Sequence, residues 1–213
     1  MALTSTQKKS VKILSIGTGV LFLLYLYLRA FVTFQCPNPS LKQDFDPDEY
    51  LGVWYEMRRS TNNPFEEGEC VTAEYSYKDN GRRVKVDNNQ FYGFYSGSDS
   101  NEGGVGEAWV NRFTSGLLFV TFFFDFGGGY RILDTDYTSY TIIYSCENVL
   151  ANAWLLSEYT WVLTRDNIVD GSTEYDNMRA VVDPIFDEKI PHYDYDDLMR
   201  TTQQGAGCTY YTN

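Results

Sequence analysis

The sequence predicts an all-β domain: eight antiparallel strands closed into an up-and-down barrel, followed by one α-helix and preceded by a single apolar helix. Three observations predict it. Short β-rich runs recur at 51–59, 70–78, 82–92, 104–111, 117–126, 130–137, 140–146 and 153–165. Turn residues separate them, notably Asp79-Asn80-Gly81, Gly97-Ser98 and Gly127-Gly128-Gly129. Aromatics make up 17% of the 213 residues, with 18 Tyr and 14 Phe, a composition suited to pleated, packed strands and unlike that of a disordered chain. Eight strands with short links describe a closed meander better than a fold of alternating strands and helices.

In chain order, residues 1–12 read as an N-terminal tail and 13–34 as a transmembrane helix. Ile13 to Phe34 holds one charge in 22 residues. As a helix it would reach roughly 33 Å, against a hydrocarbon core of about 30 Å. Lys8, Lys9 and Lys12 precede it and place the N-terminus on the cytoplasmic or matrix side; Arg29 can snorkel outward near the far end. A cleaved signal peptide is the competing reading. Its apolar stretch would be shorter, and Leu28-Arg29-Ala30-Phe31 offers no small-residue cleavage site.

Residues 36–213 then form the single folded domain. Four of the 17 basic residues and none of the 29 acidic ones fall in 1–35, which leaves the remainder at a net charge of −16. Such a surface repels nucleic acid and anionic headgroups. Cys36, Cys70, Cys146 and Cys208 are widely spaced, lack a CxxC pair and have a single histidine for company, so no zinc pattern exists. They favour two disulfides in an oxidising compartment, with three connectivities open. After the strands, Ser172 or Thr173 can cap a helix whose apolar stripe is Tyr175, Met178, Val181 and Val182, and Pro184 is expected to end it.

The motifs within the strands are specific in combination. Gly52-Val53-Trp54-Tyr55-Glu56 opens the first strand, Thr135-Asp136-Tyr137 precedes the last hairpin, and Arg165 closes Trp161-Val162-Leu163-Thr164-Arg165. In this order and spacing they resemble the three signatures of the lipocalin family. Cys36-Pro37-Asn38-Pro39, Asp48 to Trp54, Gly68 through Gly81 and Tyr140 to Cys146 are similar to its apolipoprotein D-like subgroup with its bacterial relatives. The apolar helix and the glycine run 127–129 depart from the pattern. The resemblance implies a lipocalin barrel, a plug made by Trp54 and Arg165, and disulfides Cys36–Cys146 and Cys70–Cys208. Physically, a barrel this small must be filled at its closed end, and an arginine across the outer face of a tryptophan is a cation–π pair.

Strand alternation from Trp54 puts Glu56 and Arg58 on the inner face, and alternation from Arg165 puts Trp161 and Leu163 there. The resemblance adds Tyr75, Val84, Val86, Asn88, Leu118, Val120, Phe122 and Phe124. This is an aromatic cup with few polar groups, as expected for a small apolar ligand such as a lipid or sterol-like molecule. Glu56 and Arg58 either orient a ligand's polar end, pair with each other, or are separated by a bulge that turns one of them out. With Phe122 and Phe124 inward, Phe119 and Phe123 face outward as a patch for a membrane or protein partner.

Other constellations are weaker. Asp44, Asp46 and Asp48 have the opening spacing of a calcium loop, but Glu49 and Tyr55 occupy its glycine and glutamate positions. Asp46-Pro47-Asp48 better starts a helical turn over the barrel base. No metal or cofactor is expected. Nor is an enzyme: His192 lies in the C-terminal tail away from any nucleophile, and Glu56 has no second acid beside it for carboxylate chemistry. The expected function is ligand binding by a membrane-anchored barrel. The alternative is an accessory structural subunit of a large membrane complex. The compartment is either the mitochondrial inner membrane facing the intermembrane space, or a plasma or endomembrane facing the exterior or lumen.

Overall fold

A computed structural model describes residues 19–26, 36–64, 66–81, 83–91, 101–110, 116–122, 126–148 and 156–210. The chain divides into two units, one of residues 1–36 with 148–157 and one of 37–147 with 158–213. In the first, residues 19–26 are helical and Val20 through Leu26 expose their apolar side chains. The rest of the expected span 13–34 lies outside the described residues. Among the described residues no helix is long and apolar enough to cross a membrane.

The second unit is the barrel. A short helix α1 (Pro47–Tyr50) begins at Asp46, whose side chain accepts the Asp48 amide hydrogen, with Pro47 in the first turn where no donor is missed. It leads into β1 (Gly52–Ser60), β2 (Glu69–Lys78), a turn at Asp79–Gly81, β3 (Arg83–Phe91), β4 (Asn101–Val110), β5 (Leu117–Phe122), β6 (Phe126–Thr135), β7 (Tyr140–Asn148) and β8 (Leu156–Thr164). Neighbours in sequence are neighbours in the sheet, and β1 pairs with both β8 and β2, which closes the ring. The glycine run expected as a turn lies instead inside β6, where Gly128 and Gly129 oppose Val120 and Phe119.

Registers explain how the interior fills. Trp54 faces the small Ala73, and a row of inward positions runs from Val84 through Ala108 and Val120 to Gly128, alternating large and small. Burial of Trp54, Tyr75, Val84, Val86, Leu118, Ile132, Ile143 and Leu163 makes one continuous cluster at the closed end.

Outside the wall lies α2 (Thr173–Lys189), capped by Ser172 accepting the Tyr175 amide hydrogen. It runs through Pro184, which does not end it. Tyr175, Val182 and Phe186 are its buried stripe, whereas Val181 is exposed and Met178 only half-buried. Phe186 lies beyond the proline, and burying it and Ile190 offsets the hydrogen bond that Pro184 cannot donate. A turn α3 (Tyr195–Leu198) then feeds β9 (Met199–Thr201), which pairs with β1 over Arg58–Ser60. The Cys70 amide donates to the Gln203 carbonyl at 2.9 Å, and Cys70 is disulfide-bonded to Cys208. The tail thus fills the seam where β1 and β2 diverge. Cys36 and Cys146 are also disulfide-bonded.

Candidate functional site

The closed end is built on β1. Gly52 has φ +99°, and a side chain there would sit 3.2 Å from the Arg165 guanidinium, so the position needs glycine twice over. Trp54 is wholly buried and donates its indole hydrogen to the Tyr50 carbonyl at 2.9 Å. The Arg165 guanidinium lies 3.8 Å from the Trp54 ring centroid. It also donates to the carbonyls of Tyr137, Val53, Glu49 and Tyr50. The Thr135-Asp136-Tyr137 turn presents one of these carbonyls. Burial would raise the Asp136 carboxyl, but backbone N–H groups of Tyr140, Ser139 and Thr138 hold it below the usual range. Tyr137 sits in the left-handed region at φ +67°, which aims its carbonyl at Arg165.

Above the plug the aromatics continue. Tyr50 packs at 5.1 Å from both Trp54 and Tyr75, and its phenol is pushed up to about 12 by burial. The Tyr75 and Tyr130 hydroxyls hydrogen-bond at 2.6 Å, and burial keeps both phenols neutral. Tyr130 stacks with Trp161 at 6.5 Å. Towards the mouth the character changes. Inward-facing Asn88, Tyr130 and Trp161 are only half-buried, and inward positions Gly104, Gly106 and Gly128 carry no side chain. The lower barrel is packed, while its upper half keeps accessible surface on rings that point inward.

The residues expected inside separate as follows. Tyr75, Val84, Val86, Leu118 and Val120 are buried in the floor and walls, with Asn88 and Trp161 higher up. Phe122 ends β5 and pairs with Phe126; its side chain, like the whole of Phe124, lies outside the described residues. Glu56 is inside and buried, but Arg58 is not beside it. A bulge between Glu56 and Arg58 reverses the alternation, so Arg59 becomes the inward residue opposite Trp161. Arg59 pairs with Glu56 at 2.5 Å. Arg58 turns out beneath the helices, 3.8 Å from Asp183 and donating to the Tyr195 carbonyl. Arg58 therefore leaves the cup, corrected by one extra residue in the strand. Phe119 stands exposed on the outer face opposite the exposed Trp109, while Phe123 lies outside the described residues.

Glu66 is the site residue that strand reasoning missed, and it corrects the expectation that Glu56 has no second acid beside it, because a loop and not a strand brings it there. It sits in the β1–β2 loop, within the polar stretch Asn62-Asn63-Pro64-Phe65-Glu66-Glu67, which reads as solvated chain. Yet its carboxylate accepts from the Trp161 indole at 2.7 Å and from Asn63 at 2.6 Å, with Asn88 at 3.5 Å. Loss of water and the charge of Glu56 push its carboxyl up to about 8, against the lowering effect of the Trp161 hydrogen bond and Arg59. No spacing rule marks such a residue; the nearest signal is an acid flanked by Pro64 and Gly68 in a loop beside the mouth.

A crevice of about 490 Å³ lies outside the barrel between the Asp136–Tyr140 turn, the Asp166–Val169 segment and α2.

The model of the lipocalin-like domain matches residues 45–183. Apolipoprotein D of Cavia porcellus is 35% identical over 149 residues, covering 68% of this chain and 74% of its own. The Lazarillo protein of Schistocerca americana is 33% identical over 197 residues, covering 90% and 85%. Among solved structures, insecticyanin of the tobacco hornworm Manduca sexta superposes with a TM-score of 0.66 at 23% identity, over 81% of this chain and 88% of that one. Lobster apocrustacyanin A1 does so with a TM-score of 0.60 at 23% identity, over 82% and 96%. The family model spans the strands that make the cup and the helix that backs it, and this chain belongs to the lipocalin family.

Proposed function

We propose that the barrel holds one small apolar ligand in its upper half, close to a membrane to which residues 13–34 tether it. The observation that carries the reading is the contrast within the barrel. The lower half is packed, while Tyr130 and Trp161 point inward and keep accessible surface beside wall positions that lack side chains. Aromatic walls with a few placed polar groups are the usual make-up of such a pocket. Oxidised cysteines favour a barrel on the oxidising side of the membrane. The apolar side chains exposed around helix 19–26 and the three lysines before it support the tether. Native mass spectrometry of the full chain, followed by organic extraction, tests the cup. A bound apolar mass is expected in the wild type, and Gly104→Leu should lose it while keeping its melting temperature. Retention of the mass in that variant would place the ligand elsewhere. Alkaline extraction of membranes tests the tether: the full chain should stay in the pellet, and a chain starting at Cys36 should not.

A further inference from the structure

The polar end of the cup is unevenly supplied with donors and acceptors. Among the described residues, the charged side chains at that end are Glu56 and Glu66 with Arg59 between them. Glu69, on β2 next to this group, is held by Arg200 of β9 at 2.6 Å. Arg59 spends its donors on Glu56 Oε1, Thr202 and the Gly68 carbonyl. One positive charge therefore faces two carboxyl groups, and a proton on Glu66 balances the second. Glu56 is 1% exposed, and its second oxygen, Oε2, is buried with no hydrogen-bond partner; the Asn88 side-chain oxygen is in the same state. Glu66 Oε1 has only the long contact from Asn88. A buried acceptor left unmet costs about 1–3 kcal/mol, so unmet groups in a cup point to what a ligand supplies. Here the missing partners are donors, and the proton on Glu66 holds the place that a cation can take.

We propose that the cup takes a lipophilic primary amine, its ammonium held by Glu56, Glu66 and Asn88 and its apolar body lying along Tyr130 and Trp161. This rests on the cup being the binding site and names the head group that the cup selects. An ammonium has three donors and no acceptor, which suits two acceptors without donors, Glu56 Oε2 and Asn88 Oδ1, and a third, Glu66 Oε1, that has only the long Asn88 contact. A carboxylate head would face the like charge of Glu56 and would bring no donor to Glu56 Oε2 or Asn88 Oδ1. An alcohol would bring one donor and no charge. The electron-rich faces of Trp161 and Tyr130 further favour a cation nearby. The groups around Glu66 are Glu56 and Arg59 from β1, Asn63 from its own loop, Asn88 from β3 and Trp161 from β8, while Glu69 of β2 acts on Arg59. With the empty cup, Glu56 and the loss of water keep a proton on Glu66 up to about pH 8. Ammonium binding displaces that proton to solvent, so the charge in the cup is conserved as the cation enters.

The test is calorimetric titration of the full chain with octylamine, 1-octanol and octanoate, which share a tail and differ in the head. Octylamine is expected to bind at least about tenfold more tightly than either of the others, as a charge-assisted pair does. Its affinity should rise from about pH 6 to about pH 8, with proton release read from titrations in two buffers of different ionisation enthalpy. Glu66→Gln should weaken octylamine about tenfold and abolish its proton release. Since a loop variant can still fail to fold, the wild-type head-group series and its proton release stand as an independent measurement. Octanol or octanoate binding as tightly as octylamine would overturn the amine inference and leave the cup reading intact. Failure of all three to bind would overturn both.

Discussion

Replacing Arg165 by alanine removes one side chain that closes the barrel base in five places. The guanidinium stacks 3.8 Å from the centre of the Trp54 ring, a partly desolvated cation–π contact of about 1–2 kcal/mol. It also serves four backbone carbonyls, at 2.9, 3.1, 3.0 and 3.3 Å. Those nearest solvent regain water when the donor leaves. For the others, a lost hydrogen bond costs roughly 1 kcal/mol each, so the total is about 3–4 kcal/mol. Arg165→Lys keeps the charge but loses the planar fork, and should cost about half as much. In a domain of this size 3 kcal/mol corresponds to a fall in melting temperature of about 6–12 °C. Urea unfolding followed by tryptophan fluorescence gives the free energy directly, and the cup's ligand affinity is measured beside it. A loss below about 1 kcal/mol for Arg165→Ala, or a loss of affinity with stability unchanged, would refute the reasoning that this residue serves the fold and not the ligand.

The remaining predictions concern the seam and the buried charges. Arg59→Met should destabilise by about 3–5 kcal/mol, because it strands the Glu56 carboxylate without its partner; Glu56→Gln in the same chain should restore part of the loss in urea unfolding. Cys208→Ser opens a cross-link between residues 138 apart and should cost about 2–5 kcal/mol, with hydrogen exchange rising first along β9 and the start of β2. Glu66 has a folded-state pKa raised to about 8 from 4.5, so between those values the folded chain binds a proton that the unfolded chain has lost. Stability should therefore fall as pH rises from about 4.5 to about 8 and level off above, and Glu66→Gln should flatten that slope in unfolding curves taken across the range.

Much of the barrel is legible because its information is local and periodic. Trp161 and Leu163 follow from alternation along β8, whereas Tyr75, Val84, Val86, Leu118 and Val120 are placed by the resemblance, and in the sheet all take inward positions. The capping residues Asp46 and Ser172 are readable for a similar reason, since each acts on amides two or three residues away. Arg58 and Arg59 show where such reading stops. Both are long cations, either is acceptable inside or out, and no pattern in Glu56-Met57-Arg58-Arg59 marks the extra residue that exchanges them. Pro184 is the reverse case, a strong local stop signal overridden because Phe186 beyond it is buried.

The sequence by itself determined the fold class, the order of the strands, the tryptophan and arginine that meet at the base, and the aromatic character of the interior. The strands and the aromatic character follow from residue type and spacing, and the pairing of Trp54 with Arg165 from the resemblance of their motifs to the lipocalin signatures. Tertiary structure alone decided which arginine faces Glu56, how the tail from Met199 to Cys208 fills the gap between β1 and β2, and that Glu66 leaves a polar loop to sit against Trp161 and Asn88. Each joins segments far apart in the chain: Glu66 meets a tryptophan 95 residues away, and Glu56 meets a threonine 146 residues away. A charge or an unmet oxygen acquires its meaning from what surrounds it in the folded state, and burial among distant partners leaves no periodic trace in the sequence.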